Sequence, residues 1–63
     1  IALVQGEVAS RRADHVVVSA AGVGYRLAVS SHTLAQVGPV GDPVTLHSHL
    51  IARDDALLLY GFC

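Results

Sequence analysis

The stretch LIARDDALLLYGF, residues 50–62, decides the fold because it places two adjacent carboxylates between two apolar runs. Asp54 and Asp55 favour a turn, since their short side chains hydrogen-bond nearby backbone and tolerate unusual dihedral angles. The apolar residues on both sides are typical of strands that pack in a core. The sequence therefore predicts a stiff β-hairpin with the acid pair projecting outward, and the rest of the chain as its scaffold.

Length and composition limit what this hairpin belongs to. The chain has 63 residues, of which 52% are hydrophobic and only 14% are charged. A domain this short buries only about 60% of its unfolded surface, and its composition is more apolar than an isolated globule of this size needs. We expect one domain over residues 1–63, as a segment of a longer protein, with part of its apolar surface covered by another domain or subunit.

The charge balance argues against binding a phosphate backbone by charge alone, because four Arg, no Lys and five acids give a net charge of -1. The single Cys63 cannot form an internal disulfide, which fits a reducing compartment. No apolar run approaches the ~18 residues that span a bilayer, and no basic-then-apolar leader is present. We therefore expect a cytoplasmic protein that has no membrane partner and uses no cofactor.

Alternating apolar residues predict five short strands. A bulge or sharp coil is expected at Gly6, and the glycines of residues 21–24 favour a tight reversal. A short helix is expected to begin at Ser30 or Ser31, whose hydroxyl can cap it, and to end at Gln36. The predicted strands cover residues 1–8, 15–20, 25–29, 44–51 and 56–62.

The fifth predicted strand is apolar on both faces. Leu58, Tyr60 and Phe62 alternate with Leu57, Leu59 and Gly61. Such a strand is either central in its sheet or covered on its second side by another subunit.

Five strands with one short helix between the third and the fourth are the order of an all-β, partly open barrel of the oligonucleotide-binding (OB) type. A five-stranded SH3-like barrel is the structural alternative. The placement of the helix favours the OB-fold.

Three motifs suggest chemistry, and each has a plainer interpretation. His47 and His49 leave the same face of a strand and could hold a metal if further ligands arrived from elsewhere, but we interpret them as structural or solvated. Arg11 and Arg12 could contact nucleic acid, yet a basic pair in a turn is more often a solvated loop. The Gly-x-Gly of residues 22–24 lacks the third glycine and the helix start of a dinucleotide-binding loop.

An enzyme is the weakest functional class. No nucleophile is paired with a base in this sequence, and two adjacent Asp on one turn lack the opposed geometry of a catalytic carboxylate dyad. We expect a non-catalytic protein with no metal site.

The closing motif resembles that of a known family. Residues 53–62, RDDALLLYGF, are similar to the Arg-acid-Asp-x-x-x-Leu-Tyr-Gly-Phe signature that closes the N-terminal domain of the RuvA family, the bacterial Holliday-junction-binding proteins. GVGY at residues 22–25, after a Val-rich strand, resembles the second hairpin of that family, and GEV at residues 6–8 its first strand. The resemblance covers essentially the whole chain, although the initiator Met is absent and Gln5 stands where the family often has Arg.

This resemblance implies a homotetramer with the barrel near its four-fold axis. Asp54 and Asp55 would then form an acidic pin facing the crossover of a four-way DNA junction. Arg53 would contact a central phosphate or, as an alternative, form an exposed salt bridge with the two acids. Residues of the last strand would pack in the core or between subunits: Leu58, Leu59, Tyr60 and Phe62.

The resemblance also implies partners that act through other domains. A following helix-hairpin-helix domain would bind the junction, and a C-terminal domain would engage RuvB, a hexameric motor ATPase; neither lies within these 63 residues. The rival functional class is a protein-interaction barrel that never touches nucleic acid and uses its apolar fifth strand only for assembly.

Overall fold

The computed structural model describes residues 1–63 and contains five strands and one helix. The strands form a closed barrel in the order β1-β2-β3-β5-β4, with the helix between the third and fourth strands along the chain. This arrangement confirms the OB-fold expected from the sequence. The elements are β1 (Leu3–Arg11), β2 (His15–Ala20), β3 (Val23–Ala28), α1 (Ser31–Gln36), β4 (Pro43–Ala52) and β5 (Leu57–Phe62).

The reversal between β2 and β3 is tighter than the sequence suggested. Only Ala21 and Gly22 form the turn, and both have positive φ, 52° and 82°. Two consecutive positive φ values are those of a type I′ turn, whose twist matches that of the flanking strands. Strand β3 therefore begins at Val23 rather than at Tyr25.

Helix α1 follows the predicted bounds. The Ser30 side chain is its N-cap and accepts a hydrogen bond from the Thr33 amide, which an exposed helix start would otherwise leave to water. No helix of the structure is long and apolar enough to cross a membrane.

The predicted bulge at Gly6 is wrong. Gly6 lies in an unbroken antiparallel register between Leu3–Glu7 and β4, and the irregularity of β1 falls between Val8 and Ser10, where β1 pairs with β2. A Cβ atom built on Gly6 would lie 2.1 Å from the carbonyl oxygen of Ser19. The glycine therefore permits a close approach of two backbones instead of a bend.

Branched aliphatic side chains fill the barrel, as the alternation of the strands predicts. Helix α1 contributes Thr33, and the residue that follows the helix completes the core. Gly61 is buried on β5, where the Leu27 side chain takes the space that a Cβ would need. The apolar core consists of Val4, Val8, Val16, Val18, Leu27, Val37 and Leu46.

The barrel closes through a narrow seam. Strands β3 and β5 run parallel and share a single residue pair, Ala28 with Tyr60, whereas β5 pairs with β4 along its whole length. On the other side, β4 pairs with β1 only as far as His47 in the ladder. The far end of the β4–β5 hairpin, residues 49–59, therefore extends beyond the strands that flank it.

Candidate nucleic-acid interface

The acid pair lies at the tip of the extended β4–β5 hairpin. Ala52 and Leu57 form its last residue pair, and the Arg53 amide donates a 2.8 Å hydrogen bond to the carbonyl oxygen of Ala56. Residues 52–57 are all exposed. The hairpin turn and its outward position agree with the interpretation of the sequence.

Neither carboxylate at this tip is neutralised within the chain. The only ion pair of the structure joins His15 to Asp14, and Arg53 forms none with Asp54 or Asp55. The exposed salt bridge considered for Arg53 is therefore not formed, and its guanidinium group is free in this structure. Two unpaired negative charges sit side by side on a rigid, solvent-facing support.

Strand β5 is apolar on both faces, as predicted, but its side chains are buried to different degrees. Leu58, Leu59 and Tyr60 are half-buried, and Leu59 packs against the barrel core. Phe62 is 48% exposed, although its ring stacks on that of His47 with the centroids 5.7 Å apart. The strand thus combines core packing with an uncovered apolar surface.

A groove of about 400 Å³ lies beside the extended hairpin, between β5 and the first residues of β2 together with the end of β3. Two hairpin leucines remain largely uncovered there: Leu57 is 71% exposed and Leu50 is 44% exposed. Sequence analysis did not single out this groove, because it depends on how far the hairpin extends past β3. We call it the seam groove; it is lined by Asp14, His15, Arg26, Ala28, Leu50, Leu57, Leu58 and Leu59.

The polar rim of the seam groove holds a short interaction between neighbouring residues. His15 Nδ1 lies 2.8 Å from Asp14 Oδ1. This hydrogen bond lowers the pKa of the Asp14 carboxyl below its ordinary value of 3.8, and the positive charges of His15 and, more weakly, Arg26 act in the same direction. Arg26 itself makes no ion pair.

His47 and His49 are both exposed on one face of β4, as their spacing predicts. No group of three or more His, Cys, Asp or Glu side chains in the structure could hold a metal ion. The stacking of His47 on Phe62 accounts for one of the two rings in structural terms.

Arg11 and Arg12 differ in their surroundings. The guanidinium group of Arg11 donates to the carbonyl oxygens of Val37 and Gly38, just after α1, and the second of these bonds is 3.3 Å long. Arg11 therefore fastens the end of α1 to the barrel, and Arg12 remains exposed.

Comparison with known proteins assigns the family. The model of the family described as "RuvA N terminal domain" matches residues 1–61. The chain belongs to this family. Its RuvA relatives include "Holliday junction branch migration complex subunit RuvA" of Pseudomonas entomophila (strain L48), 45% identical over 62 residues. The same-named proteins of Stutzerimonas stutzeri (strain A1501) and Pseudomonas paraeruginosa are 44% and 45% identical.

These matches cover nearly all of the chain but only part of each relative. They extend over 98% of the chain and 30% of the Pseudomonas entomophila RuvA, and over 31% of the other two. The chain thus spans about a third of the length of the curated relatives it matches. The RuvA assignment fixes its family and its barrel.

Proposed function

We propose that this chain serves in Holliday-junction binding and branch migration during DNA recombination and repair, as the central, non-catalytic part of a cytoplasmic homotetramer. In this assembly the hairpin tips gather around the four-fold axis at the crossover of the junction. The carrying observation is the pair of exposed, unpaired carboxylates, Asp54 and Asp55, on a hairpin that extends beyond the barrel. Membership of the RuvA N-terminal domain family supports the proposal.

Electrostatics gives the acid pair a task at the crossover. Two unit charges ~4 Å apart in water repel by about 1 kcal/mol, and by more where the surroundings are less polar. Salt screens this repulsion beyond roughly 8–10 Å. Four copies with two carboxylates each would therefore push only on the phosphates at the very centre, and would hold strands apart there without preventing binding by the arms.

Attraction to the DNA has to come mainly from elsewhere. The chain carries a net charge of -1 and no lysine, so it cannot replace many counterions of a duplex. Arg53, which is exposed next to the acids, is our candidate for one central phosphate contact. A following helix-hairpin-helix domain would supply most of the binding, and a C-terminal domain would engage the hexameric motor ATPase.

A chimera tests the proposal directly. Residues 1–61 replace the corresponding N-terminal segment of the Pseudomonas entomophila relative, and the product is assayed for binding of a four-way junction and for branch migration with the cognate motor. We expect both activities to be retained. A chimera that folds and assembles but fails to bind the junction would contradict the proposal.

The acid pair is tested in the same chimera with Asp54→Asn and Asp55→Asn together. Asn keeps the turn-forming amide and removes only the charge, so we expect unchanged junction binding and an altered rate of branch migration. A matched control changes Asp42→Asn, an exposed acid in the loop before β4. Equal migration rates for all three proteins would reduce the acid pair to an ordinary turn.

A second function has an observation of its own. Exposed leucines beside an acidic tip, with a net negative charge, also suit a protein-interaction barrel that never contacts nucleic acid. That candidate predicts a chimera that assembles normally, binds no junction at low salt and leaves the motor unstimulated.

A further inference from the structure

The seam groove is an unfinished part of the barrel. Strand β5 meets β3 at one residue pair only, so the backbone of Leu57–Leu59 on that side has no strand partner. Its floor is aliphatic, and Leu57 and Leu50 leave 71% and 44% of their surface to solvent. Apolar side chains and unpaired strand edges together are the surface that another chain covers in an assembly.

Charge narrows down the occupant. Arg26 lines the groove without an ion-pair partner, because the nearby Asp14 already pairs with His15. The unpaired acids of the chain nearest in sequence to an exposed leucine are Asp54 and Asp55, which precede Leu57 at the hairpin tip. The chain thus carries both an apolar groove with a cation at its rim and an apolar segment with acids at its end.

Geometry relates the two. If four tips lie within the screening distance of one axis, neighbouring hairpins must touch, since two paired strands are already about 5 Å apart and their side chains add to this width. The seam groove runs along the side of the hairpin, so in a ring of four it faces the next copy. A groove-to-hairpin contact is heterologous and closes into a ring by rotation.

We propose that the seam groove of each copy receives the β4–β5 hairpin of the next copy, with Leu50 and Leu57 buried between copies and Arg26 facing the neighbour's Asp55. This inference rests on the proposed tetramer and deepens it, because it names the surface and the partner segment. One acid of each pair, Asp54, then remains free to face DNA.

Sedimentation equilibrium of the 63-residue chain, without DNA, measures the assembly itself. We expect Leu57→Ser and Leu50→Ser each to weaken association about tenfold or more, since each removes roughly half a leucine or more of buried apolar surface. Arg26→Glu, which places like charges at the contact, is expected to act in the same direction. Matched controls are Val40→Ser, at a residue 61% exposed in a loop, and Arg12→Glu. Circular dichroism verifies that every variant is folded.

Cross-linking tests the position of the partner. In a Cys63→Ser background, Arg26→Cys with Asp55→Cys should give disulfide-linked dimers to tetramers on a non-reducing gel, whereas Arg12→Cys with Asp55→Cys should not. A wild-type chain that stays monomeric at millimolar concentration would overturn the proposal. So would a chain that assembles with unchanged affinity in the leucine variants and shows no cross-linked ladder. Because DNA is absent from both assays, a failure of junction binding would leave these readouts untouched.

Discussion

Gly6 illustrates how one residue determines the distance between two strands. The carbonyl oxygen of Ser19 occupies the place where a Cβ would be, 2.1 Å away, so no side chain fits without moving backbone. Gly24, in the neighbouring hairpin, would place its Cβ 3.5 Å from Val17 Cγ1, which is ordinary contact. The two glycines therefore differ in what they permit.

We expect Gly6→Ala to lower the free energy of unfolding by about 2–3 kcal/mol, since forcing atoms into a packed region strains the backbone. Gly24→Ala should change it by less than about 0.5 kcal/mol. Urea unfolding curves of both variants measure the difference. Equal midpoints for the two would show that β1 and β2 can separate at no cost.

Asp14 gives a pH dependence whose sign follows from its lowered pKa. A carboxyl that is more acidic when folded than when unfolded stabilises the fold above its unfolded value near 3.8, and this stabilisation is lost as the pH falls through the lower, folded pKa. The melting temperature of the wild type should therefore exceed that of Asp14→Asn at pH 6. The difference should vanish by about pH 2, below both pKa values. A constant difference across this range would contradict the role of the His15 contact.

At the residue scale, local chemistry was predictable and distant contacts were not. Asp54 and Asp55 prefer a turn whatever surrounds them, so their place at a hairpin tip followed from sequence. The task of Gly6 depends on Ser19, and that of Arg11 on carbonyl groups 26 and 27 residues away. Arg26 gained its position at the seam groove in the same way, from a strand arrangement that no local pattern contains.

Helix α1 shows the same rule at the scale of an element. Its bounds were predictable because Ser30 caps it within one turn, by accepting from the Thr33 amide at 3.2 Å and donating to the Thr33 hydroxyl at the same distance. The ends of β1 and β4 were not, since strands continue as long as a partner strand pairs with them, and the extra residues are largely polar or exposed.

We expect Ser30→Ala to destabilise the chain by about 1 kcal/mol, because a six-residue helix has few other groups to satisfy its first amides. Ser31→Ala, at the exposed first residue of the helix, should cost only a few tenths. Thermal unfolding of the two variants provides the comparison. A larger loss for Ser31→Ala would assign the cap to the wrong serine.

At the scale of the whole molecule, the fold is specified by strand patterns, whereas the proposed function depends on symmetry and on further domains. A single copy offers a DNA junction one acidic tip and few cations. The OB-fold was predictable because each strand carries its own alternation and the helix has its own cap. The seam groove was not, since its existence depends on where β3 stops relative to β5.

We expect the 63-residue chain by itself to bind a four-way junction weakly or not at all, because its net charge is -1 and no lysine is present to neutralise phosphates. A gel-shift titration beside the full-length Pseudomonas entomophila relative gives the comparison. Equal affinities would mean that the barrel, and not a following domain, supplies the attraction.

The single pair that joins β3 to β5 has a consequence for how the molecule breathes. Ala28 and Tyr60 lie far apart along the chain and are paired in parallel, and contacts of this kind close large loops that pay their entropy late in folding. The amides along this seam should therefore exchange with solvent through small openings that leave the β1–β2 and β2–β3 hairpins intact. A barrel of this kind opens like a cuff with one fastener, and whatever binds across the fastener governs how long it stays closed.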